Sequence, residues 1–173
     1  MRLFPNLPGV QYELPIHEQV TPSLARLKVK MEATDIRVVH TGYTTPEVVA
    51  AKKERYLRIM ERWLEKHPED YNVRSHVALT YYTSGRLDEA IVAYRIIIED
   101  STCLQDRNFV VYATALLFLG RTYLKRKDYS QSLAYIEKAA QVDPDYILTK
   151  LSLAEVHMRS GNFAVALKNA AAV

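Results

Sequence analysis

The sequence contains few of the residues that define small secreted, membrane-spanning or all-β proteins. Its 173 residues include one cysteine, Cys103, which excludes an internal disulfide and an all-cysteine zinc site. Five glycines and seven prolines are too few for a protein built mainly from strands and tight turns. No apolar run approaches the roughly 20 residues that span a bilayer, and the N-terminus lacks the apolar stretch of a signal peptide. We therefore expect a soluble protein of a reducing compartment, located in the cytoplasm.

An excess of charge of one sign is also missing. The 23 basic and 20 acidic residues give a net charge of +3, and the two signs are mixed along the chain. Because this distribution leaves no basic stripe, we expect no nucleic-acid partner. Hydrophobic residues make up 49% of the chain, which is enough to bury a core. The length fits one domain, or one domain with a small appendage.

The first 45 residues differ in kind from the rest of the chain. Four of the seven prolines lie within the first 22 residues. Apolar and polar residues alternate over residues 10–14 and 27–31, and residues 36–39 are rich in β-branched side chains, as in short strands. We predict a small strand-containing segment over residues 1–45. Because so few short strands seldom stand alone, we expect this segment to be the edge of something larger.

Residues 46–67 carry a helical pattern. Thr45 suits the position before a helix, and Pro46 suits its first turn. Apolar residues then recur at spacings of three, four and seven. The helix should end near His67, because Pro68 disfavours helical geometry in the residue before it. We interpret residues 46–67 as a linking or capping helix.

An internal repeat occupies residues 68–173. Tyr81, Tyr123 and His157 align, with small residues three positions earlier and Gly85, Lys127 and Gly161 four positions later. The spacing is 42 residues between the first two copies and 34 between the last two. The pattern predicts three pairs of antiparallel helices, with a glycine in the turn within a pair. The predicted units are residues 71–104, 113–146 and 147–173, the last one truncated.

The repeat resembles the tetratricopeptide repeat, whose period is 34 residues. The middle unit matches best, through Leu119-Gly120-x-x-Tyr123, Asp128-Tyr129, Ala139 and Asp143-Pro144. This resemblance implies a mostly α fold, an α–α superhelix of about three helix pairs plus a capping helix, beside the small strand-containing segment. It also implies that the chain binds other proteins.

The register of the first helix in each pair predicts which side chains face the concave groove. Since the set is mixed polar and apolar, we expect a peptide or a protein segment to lie there. The candidate groove residues are Asn72, Ser75, Leu79, Tyr82, Arg121, Lys125, Glu155, Met158 and Arg159, together with Thr83, Thr114, Leu117, Leu124, Leu148 and Leu151. Some members of the family clamp a C-terminal carboxylate with Lys and Asn, and Ser75 and Leu79 at those places predict no such clamp.

The last helix, from residue 163, is rich in alanine and valine. Terminal units of natural repeat stacks usually carry a polar outer face. This apolar end therefore indicates that the chain is cut from a longer parent with further repeats. The alternative is a short protein that associates with itself through this end.

Four short motifs occur in order within residues 2–66. They are Arg2-Leu3-Phe4, the His-Glu-Gln segment at 16–20, the segment from Asp35 to Tyr43, and a helix containing Lys52 and Glu61. Together they resemble the end of a family 2 glycosyltransferase catalytic domain. The bacterial members most similar to this chain carry tetratricopeptide repeats directly afterwards. The resemblance implies a nucleotide-sugar donor and a divalent metal in the parent enzyme. Since both sites would lie upstream, it implies no cofactor and no activity in this fragment.

Three further residues are candidate site residues: His17, Glu18 and His40. The resemblance places them on the acceptor side of the parent's active site. The residues alone leave two alternatives, structural groups between strands and loops or a separate metal site of two imidazoles and a carboxylate. For the chain as a whole, the alternative to a glycosyltransferase parent is a stand-alone tetratricopeptide adaptor without enzymatic activity.

Overall fold

The structure, a computed structural model, describes residues 4, 6–16, 18–30, 32, 35, 45–100 and 109–171. These residues contain eight α-helices and no β-strand, so the prediction of a mostly α fold is confirmed. The chain divides into two compact units, Met1–Lys66 and His67–Val173. The helices are α1 (Thr21–Arg26), α2 (Pro46–Lys66), α3 (Tyr71–Thr83), α4 (Leu87–Glu99), α5 (Phe109–Lys125), α6 (Tyr129–Val142), α7 (Ile147–Arg159) and α8 (Phe163–Ala171).

The first unit holds α1, α2 and an N-terminal loop that folds back on α1. An antiparallel bridge joins Glu13 and Gln19, with N···O distances of 2.9 and 3.0 Å in the two directions. The buried Ser23 hydroxyl accepts from the Gln11 amide at 3.2 Å and lies 2.9 Å from the Gln11 carbonyl and 2.8 Å from that of Val20. These bonds fix the loop against α1 without a sheet.

The prediction of strands at residues 10–14 and 27–31 is wrong for the described part of these segments. The first contributes the bridge alone, because Leu14 adopts a positive φ of 74° and Pro15 has no amide to continue a ladder. The second begins as the turn that ends α1, where Lys28 has a φ of 54°. The third predicted strand, at residues 36–39, lies outside the described residues.

The second unit is built from three consecutive helix pairs. Helices α3 and α4, α5 and α6, and α7 and α8 pack as pairs, α5 also contacts α3 and α4, and α7 also contacts α5 and α6. The three first helices, α3, α5 and α7, are therefore neighbours in chain order. Helix α5 begins one turn earlier than its register equivalents, so part of the longer spacing between the first two units is helix.

The turn within each pair has one backbone geometry, centred on Gly85, Lys127 and Gly161. All three have positive φ, at 78°, 63° and 85°. In the middle pair, the Lys127 amide donates to the Leu124 carbonyl at 3.0 Å and the Asp128 amide donates to that of Tyr123 at 3.0 Å. This pattern satisfies the last carbonyls of the first helix and ends it with a left-handed residue. Glycine is favoured at this repeated position because the backbone there is left-handed.

Lys127→Gly is expected to raise the free energy of unfolding by about 0.5–1 kcal/mol, because a lysine in the left-handed region carries strain that glycine avoids. Thermal unfolding should show a rise in Tm of about 2 °C. Gly85→Ala is the matched reverse change. A Cβ at Gly85 would meet no atom within 4 Å, so its expected loss of about 1 kcal/mol is conformational alone. A lower Tm for Lys127→Gly would contradict the left-handed backbone conformation assigned to Lys127.

Candidate functional site

The repeat register sorts the predicted groove residues into two sets. The first set holds two register positions of the first helices. Tyr82, Leu124 and Met158 share one of them, and Ser75, Leu117 and Leu151 share the other, two turns earlier. The second set holds the other three register positions. They place Leu79 with Arg121 and Glu155, Thr83 with Lys125 and Arg159, and Asn72 with Thr114 and Leu148. The structure assigns these two sets different surroundings.

The first set lies between one helix pair and the next, so the prediction that it lines the groove is wrong where a pair follows. Leu117 and Leu124 are buried in the cluster that contains Val156 of α7. Tyr82, at 8% exposure, belongs to the cluster that contains Leu119 of α5. A side chain at this register position supports the stack instead of meeting a partner.

At the last pair, the same register positions carry Leu151 and Met158, and both are exposed. Within the described residues, no helix follows α8 to cover them. These two residues therefore lie at the end of the stack. We use the word groove for the second set of positions, which does not include Met158.

Tyr82 supports the groove through its contacts with α5. Its ring meets that of Phe118 edge to face, with centroids 5.6 Å apart. Lys125 places its ammonium 3.7 Å from the Tyr82 ring centroid and donates to the Tyr82 carbonyl at 3.2 Å. Cation–π attraction and this hydrogen bond together hold the Lys125 side chain over the boundary between the first two pairs.

A charged network joins α5 to α7 at the second set of register positions. Arg121 Nη1 donates to Ser152 Oγ at 2.7 Å and lies 3.6 Å from Glu155 Oε2. Glu155 Oε1 in turn lies 2.8 Å from Arg159 Nη2. One carboxylate is thus shared by two guanidinium groups, and Lys125 adds a third cation one turn from Arg121. The four charged side chains together carry a formal charge of +2.

The α3 end of the groove carries no formal charge at the predicted positions. Asn72 and Thr83 are exposed and Leu79 is half-buried, while Ser75, which belongs to the first set, is half-buried as well. Leu79 also packs against the core cluster of the first two pairs. The predicted groove positions therefore change from neutral on α3 to positive on α5 and α7.

The candidates in the first unit are not brought together by the described structure. His17 and His40 lie outside the described residues, and Glu18 is exposed in the loop closed by the bridge from Glu13 to Gln19. In the described ranges, no group of three His, Cys, Asp or Glu side chains could hold a metal ion. The acceptor-side and metal hypotheses thus stay predictions. None of the helices in the described ranges combines the length and the hydrophobicity of a membrane-spanning segment.

The comparison with known proteins identifies a tetratricopeptide repeat. Residues 113–146, which cover most of α5, all of α6 and the turn that follows, match the family model described as "Tetratricopeptide repeat". A search of curated protein sequences gave no significant match. The family match supports the tetratricopeptide part of the prediction and gives no support to a glycosyltransferase parent.

Two solved structures share the fold. The structure described as "MamA MSR-1 C2" is 19% identical with a TM-score of 0.54, and the alignment covers 70% of this chain and 66% of that one. A thermophilic TPR protein of Thermus thermophilus is 21% identical with a TM-score of 0.50, over 72% of this chain and 67% of that one. This chain therefore spans about two thirds of the length of each.

Sequence reasoning identified the members of the charged network but missed their pairing. Arg121 and Glu155 are separated by 34 residues, which is the repeat period. Opposite charges at one register position of adjacent units were therefore the signal that could have predicted this ion pair. Ser152, which is buried and accepts from Arg121, was not among the candidates.

Proposed function

We propose that this chain, built on a tetratricopeptide-like fold, is a protein-interaction module that binds an extended acidic segment of a partner in the groove of α3, α5 and α7. The observation that carries the proposal is the sharing of one carboxylate, Glu155, by Arg121 and Arg159. A partner carboxylate supplies the charge that this pair of guanidinium groups lacks. Complementary charge of this kind favours recognition and steers association.

The network is ordered before a partner arrives. The bond from Arg121 to Ser152 and the packing of Lys125 on Tyr82 restrict both cations in the free protein. Because long side chains that are already restricted lose less entropy on binding, this order favours affinity. Leu79 and Leu148, which are half-buried, offer apolar contact on either side of the charged centre. The expected ligand therefore alternates acidic and apolar residues.

A fluorescent peptide of alternating Glu and Leu tests the proposal against a matched peptide with Gln at each Glu. We expect the acidic peptide to bind at least about tenfold more tightly at low salt, and its affinity to fall as salt rises. Arg121→Gln and Arg159→Gln should each weaken binding severalfold. Anisotropy titrations measure the affinities, and circular dichroism checks the fold of each variant.

Lys138→Gln is the matched control, because Lys138 is an exposed cation of the second helix α6. It should leave binding unchanged. Amidation of the peptide's C-terminus should also have no effect, since the chain is predicted to lack a carboxylate clamp. Equal binding of the acidic and neutral peptides, or an equal loss with Lys138→Gln, would contradict the proposal.

The protein to which this module belongs is a separate part of the proposal. The ordered motifs in residues 2–66 support a cytoplasmic, bacterial family 2 glycosyltransferase as parent, with its nucleotide-sugar and divalent metal in a catalytic domain upstream. The fold and the comparisons are equally consistent with a stand-alone adaptor. The reading frame upstream of Met1 distinguishes them, because a stand-alone adaptor has no catalytic domain encoded there.

A further inference from the structure

The last helix pair exposes a set of large apolar side chains, which we call the end face. Each member is between 46% and 73% exposed. The end face consists of Ile147, Leu151 and Met158 of α7 and Phe163 and Leu167 of α8. An exposed apolar area of this size on a folded protein usually marks an interaction surface.

In the middle helix pair, the residues equivalent to the end face lie in the interface between helix pairs. The residues at the same register positions of the middle pair are Ala113, Leu117, Leu124, Tyr129 and Leu133. All of them are buried or half-buried, and Leu117, Leu124, Tyr129 and Leu133 belong to the cluster that contains Val156 of α7. The end face is therefore the continuation of an interface that the chain already forms between its helix pairs, and it differs in having nothing over it in the described structure.

We propose that the end face packs against the end face of a second copy of this chain, forming a two-fold symmetric dimer. A two-fold contact covers both end faces at once, because the same residues lie on each side. The five side chains expose roughly 500 Å² per copy, so their complete burial in a dimer removes about 1,000 Å² from water, which is the size of a weak specific interface.

The charged side chains of α7 near Leu151 and Met158 have partners of opposite charge, and Lys150 lies 4.0 Å from Asp145. Glu155 and Arg159, the neighbouring charged side chains, lie 2.8 Å apart as an ion pair. Paired charges avoid the large cost of burying an isolated one. The end face also occupies register positions different from those of the groove, so dimerisation does not depend on the binding of an acidic peptide.

Analytical ultracentrifugation of the whole chain from low to high micromolar concentration tests the dimer. We expect the mass to rise from the monomer value of 19.9 kDa to twice that value. The double variant Met158→Glu/Leu167→Glu should weaken the dimer at least about tenfold, because it places unpaired carboxylates in an apolar contact. Val92→Glu is the control, since Val92 is equally exposed but lies on α4.

A second measurement keeps the test decisive if the double variant fails to fold. In the unmodified chain, amide hydrogen exchange in α8 should slow as concentration rises, while exchange in α4 should not change. A monomer mass at every concentration would overturn the proposal. Growth beyond a dimer would overturn it as well, because open-ended assembly requires a head-to-tail contact. So would an equal loss of dimer with Val92→Glu.

Discussion

Replacing Gly120 by valine is expected to lower the free energy of unfolding of the repeat unit by about 3 kcal/mol or more. A Cβ at this position would lie 2.5 Å from Ile136 Cγ1, 3.0 Å from the Ser132 carbonyl oxygen and 3.1 Å from the Ile136 amide nitrogen. Ile136 is fully buried, and two of the three atoms belong to the backbone of α6. The helices must therefore separate to admit any side chain, which opens gaps in the packing of α5 against α6.

The size of the effect distinguishes close packing from helix propensity. Valine in place of glycine improves propensity slightly, so propensity alone predicts a small gain in stability. Denaturant unfolding followed by circular dichroism measures the difference, with Ala134→Val on the exposed side of α6 as the control for a β-branched residue in a helix. A loss below about 1 kcal/mol for Gly120→Val would show that the two helices are not in close contact at Gly120.

Most of the helical architecture could be predicted because its signals are local and occur more than once. Asp70 and Asp128 each accept from an amide three residues later, at 3.0 and 3.1 Å, and so mark the starts of α3 and α6. The left-handed residues at Gly85 and Gly161 mark the ends of α3 and α7. Signals of this kind need no knowledge of distant contacts, and the three predicted helix pairs are all present in the structure.

The N-terminal segment could not be predicted in the same way. The alternation over residues 10–14 does not correspond to burial, since Tyr12 and Leu14 are 64% and 55% exposed. It also contains no information that Leu14 turns into the left-handed region. Helix α1 has six residues and no side-chain cap at its start, so its pattern was too short to distinguish from a loop. Its stability depends on tertiary bonds such as those of Ser23, which a linear pattern does not contain.

The groove prediction includes register positions that the packing of the next helix pair closes. Tyr82 and Lys125 occupy adjacent surfaces of consecutive first helices, and only the packing of the next pair shows that one is buried while the other covers it. The sequence pattern gives the repeat period, but the angle at which each pair meets the next determines which positions remain open. That angle is a property of the assembled core.

Leu117→Ala and Leu151→Ala make the same change at one register position and are expected to differ strongly. Leu117 is 0% exposed in the cluster between the second and third pairs, whereas Leu151 is 46% exposed at the end of the stack. Loss of the buried side chain leaves a cavity, so Leu117→Ala should cost about 3 kcal/mol of unfolding free energy. Leu151→Ala should cost about 1 kcal/mol or less, since half of its side chain is already in water.

Chemical denaturation at low protein concentration, where the chain is monomeric, measures both variants under one condition. Similar losses would contradict the assignment of this register position to the interface between pairs. Repeating the measurement at high concentration adds the dimer, because a complex that binds the folded state raises apparent stability. The deficit of Leu151→Ala should then grow relative to the unmodified chain, while that of Leu117→Ala should change little. The same leucine-to-alanine change thus reports on the internal interface at one position and on the end face at the other.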